Sequence, residues 1–332
     1  MRKMDPEDIM DINIRIFRGH KGEVNSCCLS SDLQLLVTAS DDSRLIVWNV
    51  RQRKPLCELV GHTGPVNSCQ FTPDNKAVVS GSYDGSVRVW ETSTSRCSMV
   101  LHEHKKSVEC VNVSHDGLLV ASTSWDGWVI VWNLETGALL YKLLGHKDCV
   151  KTCSFSLHDE YLASGGWDYT VRVWKLKTTA RDSCTNSKWL LRRFKKLSDH
   201  DIYMMVLEGH TGNVQDVAFS TAGLLASCSW DRSVCLWNPH RGDLIRRMLG
   251  HTGWVKAISF SSSSLELASF ADDDTIRVWS VMSGECINIH QNHTDLAQVC
   301  LFSQSGALLA CGSAIFNPLP KLNNKPVVDG CK

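Results

Sequence analysis

The sequence lacks several features that are typical of membrane proteins, secreted proteins and metal- or nucleotide-binding enzymes. It has no uninterrupted apolar run of about 18 residues, so no transmembrane helix is predicted. Residues 1–11 are short and polar and do not form a charged-then-apolar leader, so we expect an intracellular protein, cytoplasmic and/or nuclear. The chain also has no Cys-x-x-Cys pair, no spacing of metal ligands and no glycine-rich phosphate loop. We therefore expect no metal site and no cofactor.

What the sequence does contain is a repeat that runs through most of its length. Histidines recur at intervals of 42, 42, 42, 64, 41 and 42 residues. They are His20, His62, His104, His146, His210, His251 and His293. Between them lie alternating apolar stretches such as Val87-Arg88-Val89, which predict strands. Seven units of this length fit a closed ring of four-stranded sheets, the seven-bladed β-propeller, so we predict an all-β protein.

Each of the first six histidines is followed by three other side chains at fixed spacing. A tryptophan closes the unit, an aspartate precedes it by six residues, and a serine or threonine precedes the aspartate by four. The predicted structural network comprises His20, Thr38, Asp42, Trp48; His62, Ser80, Asp84, Trp90; His104, Ser122, Asp126, Trp132; His146, Ser164, Asp168, Trp174; His210, Ser227, Asp231, Trp237; His251, Ser269, Asp273 and Trp279. An aspartate that accepts from the histidine and from turn amides would satisfy groups that cost about 1–3 kcal/mol each when buried unpaired.

This quartet resembles the WD-repeat family, and the resemblance covers roughly residues 12–313. It implies a WD-repeat β-propeller over 12–313, an N-terminal arm over 1–11 and an irregular C-terminal tail over 314–332. The seventh unit departs from the pattern, because Cys311, Ile315 and Lys321 stand where the hydroxyl, the aspartate and the tryptophan are expected. We therefore predict an imperfect seventh blade, closed by an N-terminal strand at residues 12–17 as the family commonly shows.

Cysteine is frequent, with 15 residues, but its phase predicts a buried hydrophobic position rather than disulfides. Cys27, Cys69, Cys153 and Cys300 each lie seven residues after a repeat histidine. The other units have Val111, Val217 and Ile258 at that phase. A position that accepts Cys, Val and Ile alike is typical of an interior strand, in which a free cysteine acts as a small hydrophobe.

One unit carries a basic insertion of about 22 residues, at about 175–199, in the connection between its third and fourth strands. Residues 175–197 contain eight Lys or Arg and one Asp, so their net charge is +7, which leaves −7 for the rest of the chain. Leu190, Phe194 and Leu197 have helical spacing, which predicts a short basic amphipathic helix. Such a segment could bind anionic lipid, calmodulin or nucleic acid, or serve only as a solvated loop. We do not expect nucleic acid to be the main partner. Any membrane contact is expected only through Lys188, Arg192, Arg193, Lys195 and Lys196.

The resemblance also implies where a partner would bind. In WD-repeat proteins three positions per unit usually line the top face: the residues three and five after the histidine, and the residue before the aspartate. Mapped onto this chain, these positions supply a partner-binding set of aromatic and acidic residues. The set is Tyr83, Trp125, Trp167, Trp230, Trp254, Glu23, Asp41, Glu109 and Asp272. Aromatic anchors with nearby carboxylates are typical of a protein-binding surface that receives Arg or Lys. The alternative is that each tryptophan simply covers its own turn.

An enzyme is not expected, because a His, Ser and Asp set repeated six times serves each unit rather than one reaction centre. The sequence thus favours a non-catalytic interaction scaffold that binds a peptide or partner domain at its top face. A substrate receptor of a cullin-type ubiquitin ligase is a further alternative. Asp42 is followed by Trp48-Asn49-Val50-Arg51, which resembles the Trp-Asp-x-Arg motif of such receptors but has Asn in place of Asp.

Overall fold

Every regular element in the described part of the chain is a β-strand. The structure is a computed structural model that describes residues 17–176, 195–196, 203–291, 297–302 and 308–312. These residues form seven antiparallel sheets, which we number in chain order. Residues 12–17, predicted to close the last sheet, lie outside the described part except for Phe17, and most of the basic insertion lies outside it as well.

The first three sheets have four strands each, in sequential order. Sheet 1 comprises β1 (Val24–Leu29), β2 (Leu35–Ser40), β3 (Arg44–Asn49) and β4 (Lys54–Val60). Sheet 2 comprises β5 (Val66–Phe71), β6 (Ala77–Ser82), β7 (Ser86–Glu91) and β8 (Cys97–His102). Sheet 3 comprises β9 (Val108–Val113), β10 (Leu119–Ser124), β11 (Trp128–Asn133) and β12 (Leu139–Leu144).

The remaining sheets vary this plan at two places. Sheet 4 has five strands: β13 (Val150–Phe155), β14 (Tyr161–Gly166), β15 (Val171–Lys175), β16 (Lys195–Lys196) and β17 (Tyr203–Leu207). Sheet 5 comprises β18 (Val214–Phe219), β19 (Leu225–Ser229), β20 (Val234–Asn238) and β21 (Asp243–Met248). Sheet 6 comprises β22 (Val255–Phe260), β23 (Glu266–Ala271), β24 (Thr275–Ser280) and β25 (Cys286–Gln291). Sheet 7 comprises β26 (Ala297–Phe302) and β27 (Leu308–Gly312).

The sheets pack face to face through their apolar side chains. One cluster joins Val37, Leu45 and Val47 of sheet 1 to Phe71 and Trp90 of sheet 2, and similar clusters join each later pair up to sheets 5 and 6. The first strands of successive sheets contact one another, and β26 contacts both β22 and β1. In sheet 1 the third strand is buried at four of its six positions, whereas the fourth strand is largely exposed. This arrangement is consistent with a propeller.

The prediction of buried cysteines is confirmed where the structure describes them. Cys27, Cys69 and Cys153 are buried in the first strands of their sheets, as are Val111, Val217 and Ile258 at the same phase. Eleven cysteines of the described part, Cys27, Cys69 and Cys153 among them, are free thiols. The position is therefore a core position that tolerates several small apolar side chains.

The predicted helix in the basic insertion is wrong at Lys195 and Lys196. These two residues form the short strand β16, which pairs with Met204 and Tyr203 of β17. β17 is the outer strand of sheet 4, so one edge of it has unpaired backbone groups that a returning chain can satisfy. In so short a segment, this backbone pairing with β17 outweighs the helical preference that the amphipathic spacing indicates. Leu190, Phe194 and Leu197 lie outside the described residues.

Deleting residues 178–199 is expected to leave the fold intact. The pairing of β15 with β17 is regular from Val171–Leu207 to Lys175–Tyr203, and the insertion enters only after it. Because closure entropy grows slowly with loop length, the change in melting temperature should be a few degrees or less. If the +7 segment is what attracts anions, liposome and RNA binding at low salt should be lost.

The control for this deletion is the full chain measured at low and moderate salt. A variant that no longer unfolds cooperatively would show that β16 is needed to hold β17 in sheet 4. Retained binding to anionic liposomes would place the anion-binding surface elsewhere on the chain.

Candidate functional site

The predicted His, Ser, Asp and Trp residues come together in one hydrogen-bonded chain per sheet. In sheet 2 the Trp90 indole N–H donates to Ser80 Oγ over 2.8 Å, and Ser80 Oγ lies 2.8 Å from His62 Nε2. His62 Nδ1 in turn lies 2.9 Å from Asp84 Oδ2. The same chain recurs in sheets 1, 3, 4, 5 and 6. A neutral imidazole fits this chain, because Nε2 accepts from the serine while Nδ1–H donates to the carboxylate.

Burial and hydrogen bonding set the charges of this network. Burial lowers the pKa of His62, His146 and His251, which favours the neutral ring. Although burial opposes it, hydrogen bonds from His104 and from backbone amides lower the pKa of Asp126 to about 2. Each network aspartate also accepts a hydrogen bond from the backbone N–H of the residue after its histidine. In sheet 2, Thr63 N donates to Asp84 Oδ2 over 3.0 Å. These bonds fix the turns at one end of each sheet.

The network has the geometry of a structural element and not of a reaction centre. The network histidine side chains are fully or almost fully buried. Both ring nitrogens of each histidine already have a hydrogen-bond partner within the network. The same arrangement occurs in six sheets. A catalytic reading of this His, Ser and Asp set would need an accessible nucleophile, which none of the six provides.

The three positions predicted to line the top face lie together at one end of the sheets, which we call the mouth. The residue before each network aspartate donates its backbone N–H to the carbonyl of the residue three after the histidine, as Trp125 does to Ser107 and Trp167 to Cys149. The residue five after the histidine occupies a β-bulge in the first strand of every sheet. Bulges redirect a side chain out of the sheet, which explains why this phase faces the mouth.

Four tryptophans at the mouth form a continuous row, which we call the tryptophan strip: Trp125, Trp167, Trp230 and Trp254. Trp125 and Trp167 meet edge to face at 4.8 Å between ring centroids, Trp167 and Trp230 lie 5.6 Å apart, and Trp230 stacks on Trp254 at 4.6 Å. Trp125 is 42% and Trp254 48% exposed, while the two central rings are half-buried. The strip crosses sheets 3 to 6 and leaves a large aromatic area in contact with solvent.

The other predicted partner-binding residues lie at the mouth but outside this row. Tyr83 is 67% exposed, and no aromatic ring in the described part of the chain contacts it. Asp41 Oδ1 accepts from the side-chain amide of Asn25 over 2.7 Å, and the backbone carbonyl of Glu23 accepts from Asp41 N. These residues belong to sheets 1 and 2, which carry no tryptophan of the strip.

Two of the predicted acids form ion pairs with lysines of the same chain. Glu109 is largely buried and its Oε2 lies 2.6 Å from Lys151 Nζ. Asp272 is exposed, and its Oδ1 lies 2.5 Å from Lys256 Nζ. Both lysines are bulge residues of their own sheets, so the chain itself offsets the charge of these carboxylates. The role of Glu109 and Asp272 in binding a partner stays a prediction.

The sequence reasoning missed Arg232 as part of this surface. Arg232 adopts a left-handed backbone conformation, φ 68°, in the turn after Trp230, at the phase where Gly85 and Gly127 stand in sheets 2 and 3. With Thr252, Gly253, Trp254 and Asp272 it lines an open depression of about 280 Å³. The only feature of the sequence that could have indicated this position is that Arg232 directly follows the network aspartate Asp231.

The motif considered for a ligase receptor has a local structural role. Trp48 is buried in sheet 1, and Asn49 Oδ1 accepts from Gln52 N over 2.8 Å in the turn that follows β3. The side chain of Asn49 therefore shapes this turn. The receptor function stays a prediction.

Among the described residues, no helix is long and apolar enough to cross a bilayer. No cluster of three or more His, Cys, Asp or Glu side chains in this part of the chain is arranged to hold a metal ion.

A family model described as "WD domain, G-beta repeat" matches six stretches that together cover more than half of the chain. They are residues 12–49, 53–91, 95–133, 137–175, 202–238 and 242–280. Each stretch ends one residue after a network tryptophan. The matched repeats are therefore the same units that the histidine spacing defines.

Several curated proteins are similar to parts of the chain. Eukaryotic translation initiation factor 3 subunit I of Aspergillus fumigatus is 30% identical over 107 residues, which is 32% of this chain and 32% of that protein. Nuclear distribution protein nudF 1 of Talaromyces marneffei is 39% identical over 92 residues, 26% of this chain and 20% of that protein. Nuclear distribution protein PAC1 of Tuber melanosporum is 30% identical over 117 residues, 34% and 26% respectively. The chain spans about a third or less of the length of these relatives.

Proposed function

Because the chain belongs to the WD-repeat family, we propose that it is a non-catalytic protein-interaction scaffold that holds a peptide or partner domain on the tryptophan strip. The strip carries this proposal. Large aromatic side chains dominate the binding energy of protein interfaces, and four of them in contact are rarely left exposed without a use. One relative is named as a subunit of a translation initiation factor, which supports a role in a protein assembly.

The proposal extends to the architecture. We infer that the seven sheets form one ring, since β26 lies against β1. Closure of sheet 7 by a strand at residues 12–17 stays a prediction, because residues 12–16 lie outside the described part. The propeller domain spans 12–313, with an arm over 1–11 and a tail over 314–332. The location is intracellular, in the cytoplasm or nucleus, which agrees with free thiols in the described part of the chain. A finer resemblance, to the WD repeat-containing protein 38 type, rests on residues 22–26, 61–66, 164–168 and 223–227 and implies no activity of its own.

Replacing Trp125 and Trp167 together by alanine is expected to reduce capture of the main partners by at least about tenfold. Each hot-spot aromatic contributes about 2 kcal/mol or more to binding, and Trp125, one exposed end of the strip, contacts Trp167 edge to face. Affinity capture with quantitative mass spectrometry, run beside the intact protein, measures the loss. Thermal unfolding of the same variant shows whether the fold is kept.

Tyr83→Ala is the matched control, since Tyr83 is an exposed aromatic residue of the mouth that lies outside the strip. It should retain the partners that the double variant loses. If the folded double variant captures the same partners at unchanged levels, the strip is not the binding surface. If the double variant fails to fold, the tryptophans serve to cover their turns.

A further inference from the structure

The loops that hold the tryptophan strip carry cations without carboxylate partners. Lys105 and Lys147 are exposed, and their backbone amides donate to Asp126 and Asp168, the aspartates that directly follow Trp125 and Trp167. Arg232 is exposed in the turn of Trp230 and lines a depression with Trp254. None of these three forms an ion pair within the described residues. The rim of the strip therefore presents positive charge along its length.

Acidic side chains in the same region are mostly occupied. Glu103 Oε1 lies 2.6 Å from Lys142, and Glu109 and Asp272 pair with Lys151 and Lys256 as described above. The exposed Asp148 uses one carboxylate oxygen to accept from the backbone N–H of Cys149 over 2.7 Å. A cationic ligand on the strip would thus meet Lys105, Lys147 and Arg232 with little to offset the repulsion.

Ring spacing favours a peptide over stacked bases. Neighbouring rings of the strip lie 4.6–5.6 Å apart and touch each other, so no slot remains between them for a nucleobase. Single-stranded nucleic acid binds by stacking its bases on separate aromatic faces. An extended peptide, at about 3.3 Å per residue, could instead lie across the row with about four residues in contact.

We propose that the partner of the tryptophan strip is an acidic peptide, in which apolar residues contact the indoles and flanking Asp or Glu side chains meet Lys105, Lys147 and Arg232. This inference rests on the proposed function and specifies its ligand. The sequence alone favours a cationic ligand, because several acidic residues are expected at the mouth. The proposed ligand is acidic instead, since Glu109 and Asp272 pair with Lys151 and Lys256 in the folded chain.

The test is selection from a phage library of random dodecapeptides, performed on the intact protein and on the Trp125→Ala/Trp167→Ala variant. Peptides that bind only the intact protein should be enriched in Asp and Glu around aromatic or aliphatic residues. A synthetic peptide of the most enriched sequence should bind Lys147→Glu/Arg232→Glu at least about tenfold more weakly. Its affinity for the intact protein should fall as salt rises.

Arg51→Glu/Lys54→Glu is the matched control, since it reverses the exposed charges of Arg51, in the turn after β3, and of Lys54, the first residue of β4, at the opposite end of the sheets. It should bind the peptide as the intact protein does. Enrichment of Lys- or Arg-rich peptides that need the tryptophans would overturn the acidic ligand but keep the proposed function. Tryptophan-dependent binding of oligo(dT) in place of peptide, or no enriched peptide at all, would also overturn it, while affinity capture decides the proposed function separately.

Discussion

Replacing Asp168 by alanine should lower the free energy of unfolding by about 3–5 kcal/mol, clearly more than the same change at Asp126. Asp168 accepts from His146 Nδ1 at 3.0 Å, from the backbone of Lys147 at 3.1 Å and from the hydroxyl of Thr170 at 2.8 Å. Its Oδ2 also lies 3.5 Å from Arg172 Nη2. Alanine would leave all of these donors without their acceptor.

Arg172 accounts for the larger loss of stability expected at Asp168 than at Asp126. Only 6% of this residue is exposed, and Asp168 is its one carboxylate partner within the described residues. Removing one member of a buried pair leaves an uncompensated charge, which costs more than an unpaired neutral donor. In sheet 3 the corresponding residue, four after the aspartate, is Ile130. Asp126→Ala therefore leaves no buried cation and should cost about 1–3 kcal/mol.

Chemical unfolding of the two variants beside the intact protein measures this difference. The double variant Asp168→Ala/Arg172→Ile places isoleucine where sheet 3 has Ile130. It should recover part of the free energy of unfolding that Asp168→Ala loses. Equal destabilisation by the two single variants would mean that Arg172 finds another partner or solvent. A loss of partner binding with an unchanged unfolding midpoint would mean that the network is not structural.

The hydrogen-bonded networks could be predicted from the sequence because each unit repeats its four residues at fixed spacing. Position in a strand then follows from phase alone, which is why Cys27 and Val111 proved equivalent. The strip could also be anticipated, since Trp125, Trp167 and Trp230 share one phase. What phase cannot supply is which side chains of neighbouring sheets meet.

The pair Glu109–Lys151 shows this limit. Glu109 and Lys151 have the same phase in consecutive units, so they are 42 residues apart in sequence and meet only because the first strands lie side by side. Glu109 by itself looks like a site for a cation. The error at Lys195 and Lys196 has a related cause, since the free edge of β17 is a feature of the assembled sheet.

Asp216 is a buried carboxylate that sequence reasoning passed over, although the other units have Ser, Cys, Thr, Ala or Val six residues after the histidine. It joins three sheets. Its Oδ1 accepts from the hydroxyl of Thr152 in sheet 4 over 3.0 Å, and its Oδ2 accepts from the backbone N–H of Ile258 in sheet 6 over 3.0 Å. Burial nevertheless dominates these bonds and raises the pKa of Asp216 from about 3.8 to about 6.

The stability difference between the intact protein and Asp216→Ser should therefore depend on pH. Serine occupies this phase in sheet 2, where Ser68 Oγ accepts a hydrogen bond from Val111 N of sheet 3 over 3.1 Å. A serine at position 216 can therefore keep a hydrogen bond to the next sheet without a charge. A carboxylate whose pKa is raised on folding contributes its full stability below its unfolded pKa of about 3.8, and loses it as the pH rises through about 6.

Lowering the pH from 7.5 to 5 should accordingly favour the intact protein over the variant by about 1 kcal/mol. Measuring both proteins side by side cancels the titration of the network histidines, which the two share. The network carboxylates do not contribute in this range, because their pKa values are lowered rather than raised, that of Asp126 to about 2. A difference that stays constant between pH 7.5 and 5, or moves in favour of the variant, would show that Asp216 is ionised throughout this range and that its hydrogen bonds outweigh its burial.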